Sequence, residues 1–79
     1  MTIYRDKLRE IDIDLASVVG CGLDRLDRVV SDVEIQKAVD FYHTYKEEIN
    51  DFPINARRQA IHDYIQDGDV PSYILNRRN

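Results

Sequence analysis

Residues 31–50 have the sequence SDVEIQKAVDFYHTYKEEIN, which contains the strongest helix signal in the chain. Ser31 and Glu34 have the spacing of a capping box, in which each side chain accepts a hydrogen bond from the other residue's backbone amide. Apolar residues then recur at helical spacing and share one face, wide enough to contact two neighbouring helices. They are Ile35, Ala38, Val39, Tyr42, Tyr45 and Ile49. We therefore predict one longer central helix from Ser31 to about Asn50, with Phe41 at the edge of its apolar face.

The segment before this helix contains an amphipathic stripe and a glycine-rich break. The stripe has the 4-3-4-3 spacing of a one-sided helix and consists of Tyr4, Leu8, Ile11, Leu15 and Val18. Residues 11–15 also alternate like a short strand, but a strand without a partner is not stable, which favours the helix. The glycines of residues 20–22 are expected to interrupt it. A short segment over 23–30 follows, with Leu23, Leu26 and Val30 on one face.

Two prolines divide the C-terminal part of the chain into two further helices. Proline suits the first position of a helix and disfavours helical backbone in the residue before it. We expect one helix from Pro53 to about Asp67, closed by Gly68, and a short last helix over 71–76. The inward residues of the first are predicted to be Ile54, Ala60, Ile61, Tyr64 and Ile65, and the last carries the apolar residues Tyr73, Ile74 and Leu75. The sequence thus predicts an all-α fold, a single domain over 1–79 with four or five short helices and one longer central helix.

Composition and charge restrict the class of protein. The 79 residues are 43% hydrophobic and 33% charged, and 11 basic against 15 acidic side chains leave a formal net charge of −4. Such a balance is typical of globular proteins and, because it repels phosphate backbones, it disfavours nucleic-acid binding. The chain has no apolar run long enough for a membrane span, and residues 1–6 lack the apolar core of a secretory signal. The single cysteine, Cys21, suits a reducing compartment, so we expect a cytoplasmic protein without a membrane anchor.

A search for chemistry-bearing motifs identifies no catalytic, cofactor-binding or metal-binding residue. His43 and His62 lie on different predicted helices, and neither has cysteine or carboxylate neighbours at the spacing of a metal site. Cys21 lacks the second cysteine of a redox motif, and residues 20–22 do not match a phosphate-binding glycine loop. We therefore expect that the protein is not an enzyme and that it needs no cofactor.

Two parts of the sequence resemble small regulators of DNA. The segment over 61–73 resembles the recognition-helix end of excisionase-like winged-helix proteins, in which a helix, a glycine, an aliphatic-proline pair and a basic wing follow one another. That resemblance implies contacts of DNA phosphates with the arginines Arg57, Arg58, Arg77 and Arg78. Three acidic residues of the same region, Asp63, Asp67 and Asp69, depart from the pattern.

A second resemblance extends over more of the chain. Residues 23–30, Ser31-Asp32 with Phe41-Tyr42, and residues 70–72 are similar to the helical segments of Hha-like enterobacterial nucleoid modulators. The resemblance implies docking onto a nucleoid protein rather than catalysis. Residues 53–60 have no counterpart in that pattern, and the Asp-His-Arg core of the family's long helix is absent.

Taken with the acidic charge and the aromatic content, these features favour a non-enzymatic interaction module. We expect a regulator of bacterial or phage type that binds a protein partner, since tyrosine and phenylalanine are favoured at the centres of interfaces. Its candidate partner-binding residues are Phe41, Tyr45, Arg57, Arg58, Arg77 and Arg78. The alternative is a small DNA-associated transcription or nucleoid regulator. We also expect a symmetric homodimer, with the stripe of the first helix contributing to the contact.

Overall fold

The computed structural model describes residues 12–78, and 76% of these residues are helical with no strand among them. Within this range five helices follow one another along the chain. They are α1 over 13–24, α2 Asp32–Thr44, α3 Lys46–Asn50, α4 Ile54–Asp67 and α5 Ser72–Arg78. The predicted all-α fold with four or five helices is therefore confirmed for the described residues. Of the predicted first stripe, Tyr4, Leu8 and Ile11 lie outside them.

Helix α4 occupies the centre of the packing. It contacts α1, α2 and α3, whereas α5 packs mainly against α3. The core comprises the buried side chains Leu15, Ala16, Val18, Val19, Leu23, Leu26, Val30, Ala38, Phe41, Tyr42, Ile49, Ala60, Ile61 and Ile74. At 14 residues α4 is also longer than the 13 residues of α2. The helix that begins at Ser31 is thus one of the two longest described helices, and it ends at Thr44 instead of at about Asn50.

The start of α2 has the capping box that the sequence predicts. The Ser31 hydroxyl accepts a hydrogen bond from the Glu34 amide at 3.3 Å, and the Glu34 carboxylate accepts one from the Ser31 amide at 3.3 Å. These two bonds satisfy amides that have no partner inside the helix. A local sequence signal therefore determines where α2 begins.

Replacing Ser31 with alanine should lower the free energy of unfolding by about 0.5–2 kcal/mol, because the Glu34 amide loses its acceptor. Thermal melts of wild type and Ser31→Ala followed by circular dichroism measure this difference. Ser72→Ala is the matched control, since that serine is exposed and makes no capping bond in the described structure. Equal melting temperatures for all three chains would contradict the role of the cap.

The helix that starts at Ser31 is divided at Tyr45 instead of running unbroken to Asn50. Tyr45 has φ −113° and ψ 29°, which lies outside the helical region. At this break the guanidinium of Arg78 donates to the carbonyl oxygen of Thr44 at 2.7 Å. Insertion of a side chain into the helical hydrogen-bond ladder is a known cause of kinks. The break thus coincides with a contact from a residue far along the chain, which periodicity alone does not reveal.

Residues 20–22 do not interrupt α1, contrary to the prediction. The helix continues through a π-helical turn over Ala16–Gly20 and ends at Asp24. A β-carbon on Gly22 would lie 2.6 Å from both the Arg58 carbonyl oxygen and the Ile61 β-carbon. Gly22 therefore permits the close approach of α1 to α4, and its lack of a side chain serves packing rather than a turn.

The remaining local predictions are partly correct. The helix ends at Asp24 and not at Val30, although Leu23, Leu26 and Val30 are all buried as expected. Gly68 closes α4 in the left-handed conformation with φ 79°, which glycine adopts without strain. Pro53 precedes the first helical residue of α4 instead of occupying it, and Ile54 is 38% exposed, so its predicted inward position was wrong.

Candidate functional site

The first two predicted arginines bind backbone carbonyls of the same chain. Arg57 donates to the carbonyl oxygens of Phe52 at 2.6 Å and Asn50 at 3.0 Å, which fastens α4 to the end of α3. Arg58 donates to the Ser17 carbonyl oxygen at 2.9 Å and so connects α4 with the π-helical turn of α1. Hydrogen bonds from a charged donor are stronger than neutral ones, and these three hold helices together.

The other two predicted arginines lie over aromatic rings at the contact between α5 and α3. Arg78 pairs with Glu48 at 2.8 Å, and its guanidinium carbon lies 4.2 Å from the centre of the Tyr45 ring. Arg77 pairs with Asp51 at 3.3 Å, and its guanidinium carbon lies 4.9 Å from the centre of the Phe52 ring. Both distances are within the range of cation–π attraction.

All four arginines therefore have intramolecular partners in this structure. A phosphate contact by Arg77 or Arg78 would compete with the carboxylate that each already binds. The basic wing implied by the excisionase-like resemblance is also absent from residues 12–78, where the segment with these two arginines is the helix α5. The geometry thus assigns these side chains to the packing of the fold.

The two predicted aromatic residues differ in their accessibility. Phe41 is only 4% exposed, and its ring stacks on Tyr64 with 4.3 Å between ring centres and 9° between ring planes. Tyr45 is half-buried and lies 5.5 Å from Phe41 by the same measure. The structure brings Phe41, Tyr45 and Arg78 together, but Phe41 belongs to the core and offers no surface to a partner.

Asp63 is the centre of a polar network that connects α4 with α5. Its carboxylate accepts hydrogen bonds from the Tyr73 hydroxyl at 2.6 Å and from Gln59 at 2.9 Å, and it lies 3.0 Å from Nδ1 of His62. Burial raises the pKa of Asp63, but the hydrogen bonds from Tyr73, His62 and Gln59 outweigh burial and hold this pKa below its ordinary value. Because Tyr73 belongs to α5, whereas Asp63, Gln59 and His62 belong to α4, the network stabilises the attachment of α5 to α4.

The most exposed of the large apolar side chains in the described residues, Val29, lies beside the capping box of α2. Val29 is 88% exposed and Val33 is 66% exposed, whereas Val30 between them is buried. We call Val29 and Val33 the valine surface. The other large apolar side chains with high exposure are on α1, α4 and α5, namely Ile13, Ile54, Tyr73 and Leu75. The spacing of apolar residues did not identify the valine surface, because Val29 lies in the connection between α1 and α2 and belongs to no helix.

The loop that presents Val29 is held by side-chain contacts on both sides. Arg28 binds the Glu34 carboxylate through two nitrogens, at 3.1 and 2.8 Å, and also donates to the carbonyl oxygen of Val29. Hydrogen bonds from Arg28 and Ser31 lower the pKa of Glu34 from 4.5 to about 2, so this carboxylate is ionised at neutral pH. Asp27 has a positive φ of 56°, a conformation that is uncommon outside glycine and is concentrated at functional sites.

One cleft among the described residues has polar walls. Its volume is about 290 Å³, and it is lined by His43, Thr44, Lys46, Glu47, Glu48 and Arg78. In the part of the chain that the structure describes, no group of three or more histidine, cysteine, aspartate or glutamate side chains is arranged to hold a metal ion. Nor does any helix between residues 12 and 78 have the length and apolar character of a membrane span.

Comparison with known proteins gives no match. No protein-family model matches the chain, and no curated protein and no solved structure shows significant similarity to it.

Proposed function

We propose that the protein is a non-enzymatic interaction module that binds another protein through the valine surface. The observation that supports this proposal is the exposure of Val29, which extends almost completely into solvent from a loop fastened by Arg28 and Glu34. Because the loop is already fastened, less conformational entropy is lost when a partner covers it. Burial of an exposed valine side chain contributes about 1.5–3 kcal/mol to association.

The charges near the valine surface define the chemistry of the partner. Asp27 and Asp32 are exposed on either side of Val29, and the chain has a net charge of −4. Of the two arginines in the connection between α1 and α2, Arg28 is paired with Glu34, and Arg25 donates hydrogen bonds to Asn55 and Gln59 of α4. A complementary partner therefore has an apolar pocket bordered by basic side chains. A second copy of this chain would bring acidic residues against acidic residues, which disfavours self-association through this surface.

We expect the double variant Val29→Asp/Val33→Asp to lose at least about tenfold in partner capture, because a charge replaces each apolar contact at the centre of the interface. The experiment immobilises the full chain, incubates it with a lysate of the source cells and quantifies captured proteins by mass spectrometry. Ile54→Asp is the matched control, since it changes an exposed apolar residue at the start of α4, where an acidic side chain suits the helix.

The proposal requires a basic-surfaced protein that the wild type and Ile54→Asp capture equally and that the double variant does not. Equal capture by all three chains would contradict it. Sedimentation of the purified chain over a hundredfold concentration range tests the other possible occupant of the valine surface, which is a second copy of this chain. A dimer that Val29→Asp/Val33→Asp dissociates would assign the valine surface to a second copy and reject a partner of different sequence. The predicted dimer through the first helix stays a prediction, since most of its stripe lies outside residues 12–78.

A further inference from the structure

Helix α5 is attached to the rest of the molecule mainly by polar and charged groups. Three carboxylates from three different segments each bind one of its side chains. Asp63 of α4 accepts from Tyr73, Glu48 of α3 pairs with Arg78, and Asp51 after α3 pairs with Arg77. These contacts occur along the whole helix, from its second residue to its last.

The apolar part of the attachment is small by comparison. Ile74 is the one buried residue of α5, while Tyr73 and Leu75 are both exposed. The Tyr73 ring meets the Phe52 ring edge-on, with 5.9 Å between ring centres. A helix of 7 residues is too short to be stable alone in water, so α5 depends on these contacts for its structure.

We propose that α5 is a releasable strap, which detaches and unfolds as a unit while α1 to α4 stay folded. Exposed ion pairs are weakened by salt, whereas the apolar contacts among the other helices are not. A segment with few buried apolar contacts and exposed hydrogen bonds has a low free energy of local opening. Release removes the guanidinium groups of Arg77 and Arg78 from the rings of Phe52 and Tyr45, so it uncovers an aromatic surface next to α3.

The test is amide hydrogen exchange of the full chain, measured by NMR at neutral pH. The amides of Ile74 and Leu75, which bond to the Pro71 carbonyl, report on α5, and the amides of Ala60 and Ile61 report on α4. We expect α5 to exchange faster than α4. A rise from about 50 mM to about 1 M NaCl should accelerate exchange of the α5 amides several-fold. The exchange rates of the α4 amides should stay unchanged.

The double variant Arg77→Gln/Arg78→Gln tests whether α5 opens alone or whether the whole fold is destabilised. It should accelerate exchange in α5 about tenfold, since each exposed ion pair shifts an equilibrium by up to about fivefold, with α4 within about twofold of wild type. Arg28→Gln is the matched control, because it removes an exposed ion pair, with Glu34, that involves no residue of α5 and should not alter exchange there. Equal acceleration of α4 and α5, or unchanged exchange in α5 of the double variant, would overturn the proposal.

Discussion

Replacing Phe41 with alanine is expected to remove most of the stability of the fold. The Phe41 side chain is 4% exposed and stacks on Tyr64, so the substitution leaves a cavity between α2 and α4. Truncation of a buried phenylalanine costs about 3–5 kcal/mol. The core of a domain of this size rarely contributes more than about 3–5 kcal/mol, so the loss is comparable to the whole stability. Urea titration followed by circular dichroism measures the change in the unfolding midpoint.

The control for this experiment is Val33→Ala. Val33 is 66% exposed, and substitutions at such positions usually change stability by less than about 0.5 kcal/mol. If Phe41→Ala instead unfolds at the wild-type urea concentration, Phe41 cannot be part of the core. That result would return Phe41 to the partner-binding role predicted from the sequence. Loss of partner capture by Phe41→Ala is otherwise explained by unfolding, and such a variant says nothing about the interface.

Replacing Gly22 with alanine should destabilise the protein by about 1–3 kcal/mol. Two effects of opposite sign compete here. Alanine favours a helix over glycine by about 1 kcal/mol, so local propensity alone predicts a more stable protein. The added β-carbon, however, would lie 2.6 Å from the Arg58 carbonyl oxygen, and a backbone atom cannot move aside as a flexible side chain can. We therefore expect the contact between α1 and α4 to determine the sign of the change in unfolding free energy.

Gly68→Ala distinguishes this packing effect from backbone strain. Gly68 has φ 79° and no atom within 4 Å of a β-carbon built on it, so alanine is strained there but meets no neighbour. It should cost about 1–2 kcal/mol and leave the NMR shifts of the Ile61 methyl groups unchanged. Gly22→Ala should move those shifts. A Gly22→Ala protein that is more stable than wild type would show that α1 and α4 do not approach closely.

Much of the secondary structure was predictable because its signals are local. The capping box at Ser31 and Glu34 and the left-handed end of α4 at Gly68 each involve residues within four positions of one another. Apolar spacing likewise predicted that Ala38, Tyr42 and Ile49 are buried. The helical fold class follows from such features without knowledge of how the helices pack. The binding of a protein partner stays a prediction.

The predicted binding residues show that local sequence signals do not predict contacts between distant residues. Helical spacing placed Phe41 at the edge of the apolar face of its helix, but the Tyr64 ring on α4 covers it. The arginines looked free in the sequence, yet Arg58 binds a carbonyl 41 positions away and Arg78 one that is 34 positions away. Nothing in the pattern around an arginine indicates which distant carbonyl or carboxylate will accept its hydrogen bonds.

The amino-acid sequence alone determined that this chain is helical, where α2 begins and where α4 ends, since these depend on hydrogen bonds and backbone preferences of neighbouring residues. The tertiary structure alone decided that α1 continues through Gly22, that the helix after Ser31 breaks at Tyr45, and that Val29 is exposed. Each of these depends on the approach of a distant segment or on its absence. The physical reason is that packing joins residues far apart in the chain, and periodicity describes only one helix at a time.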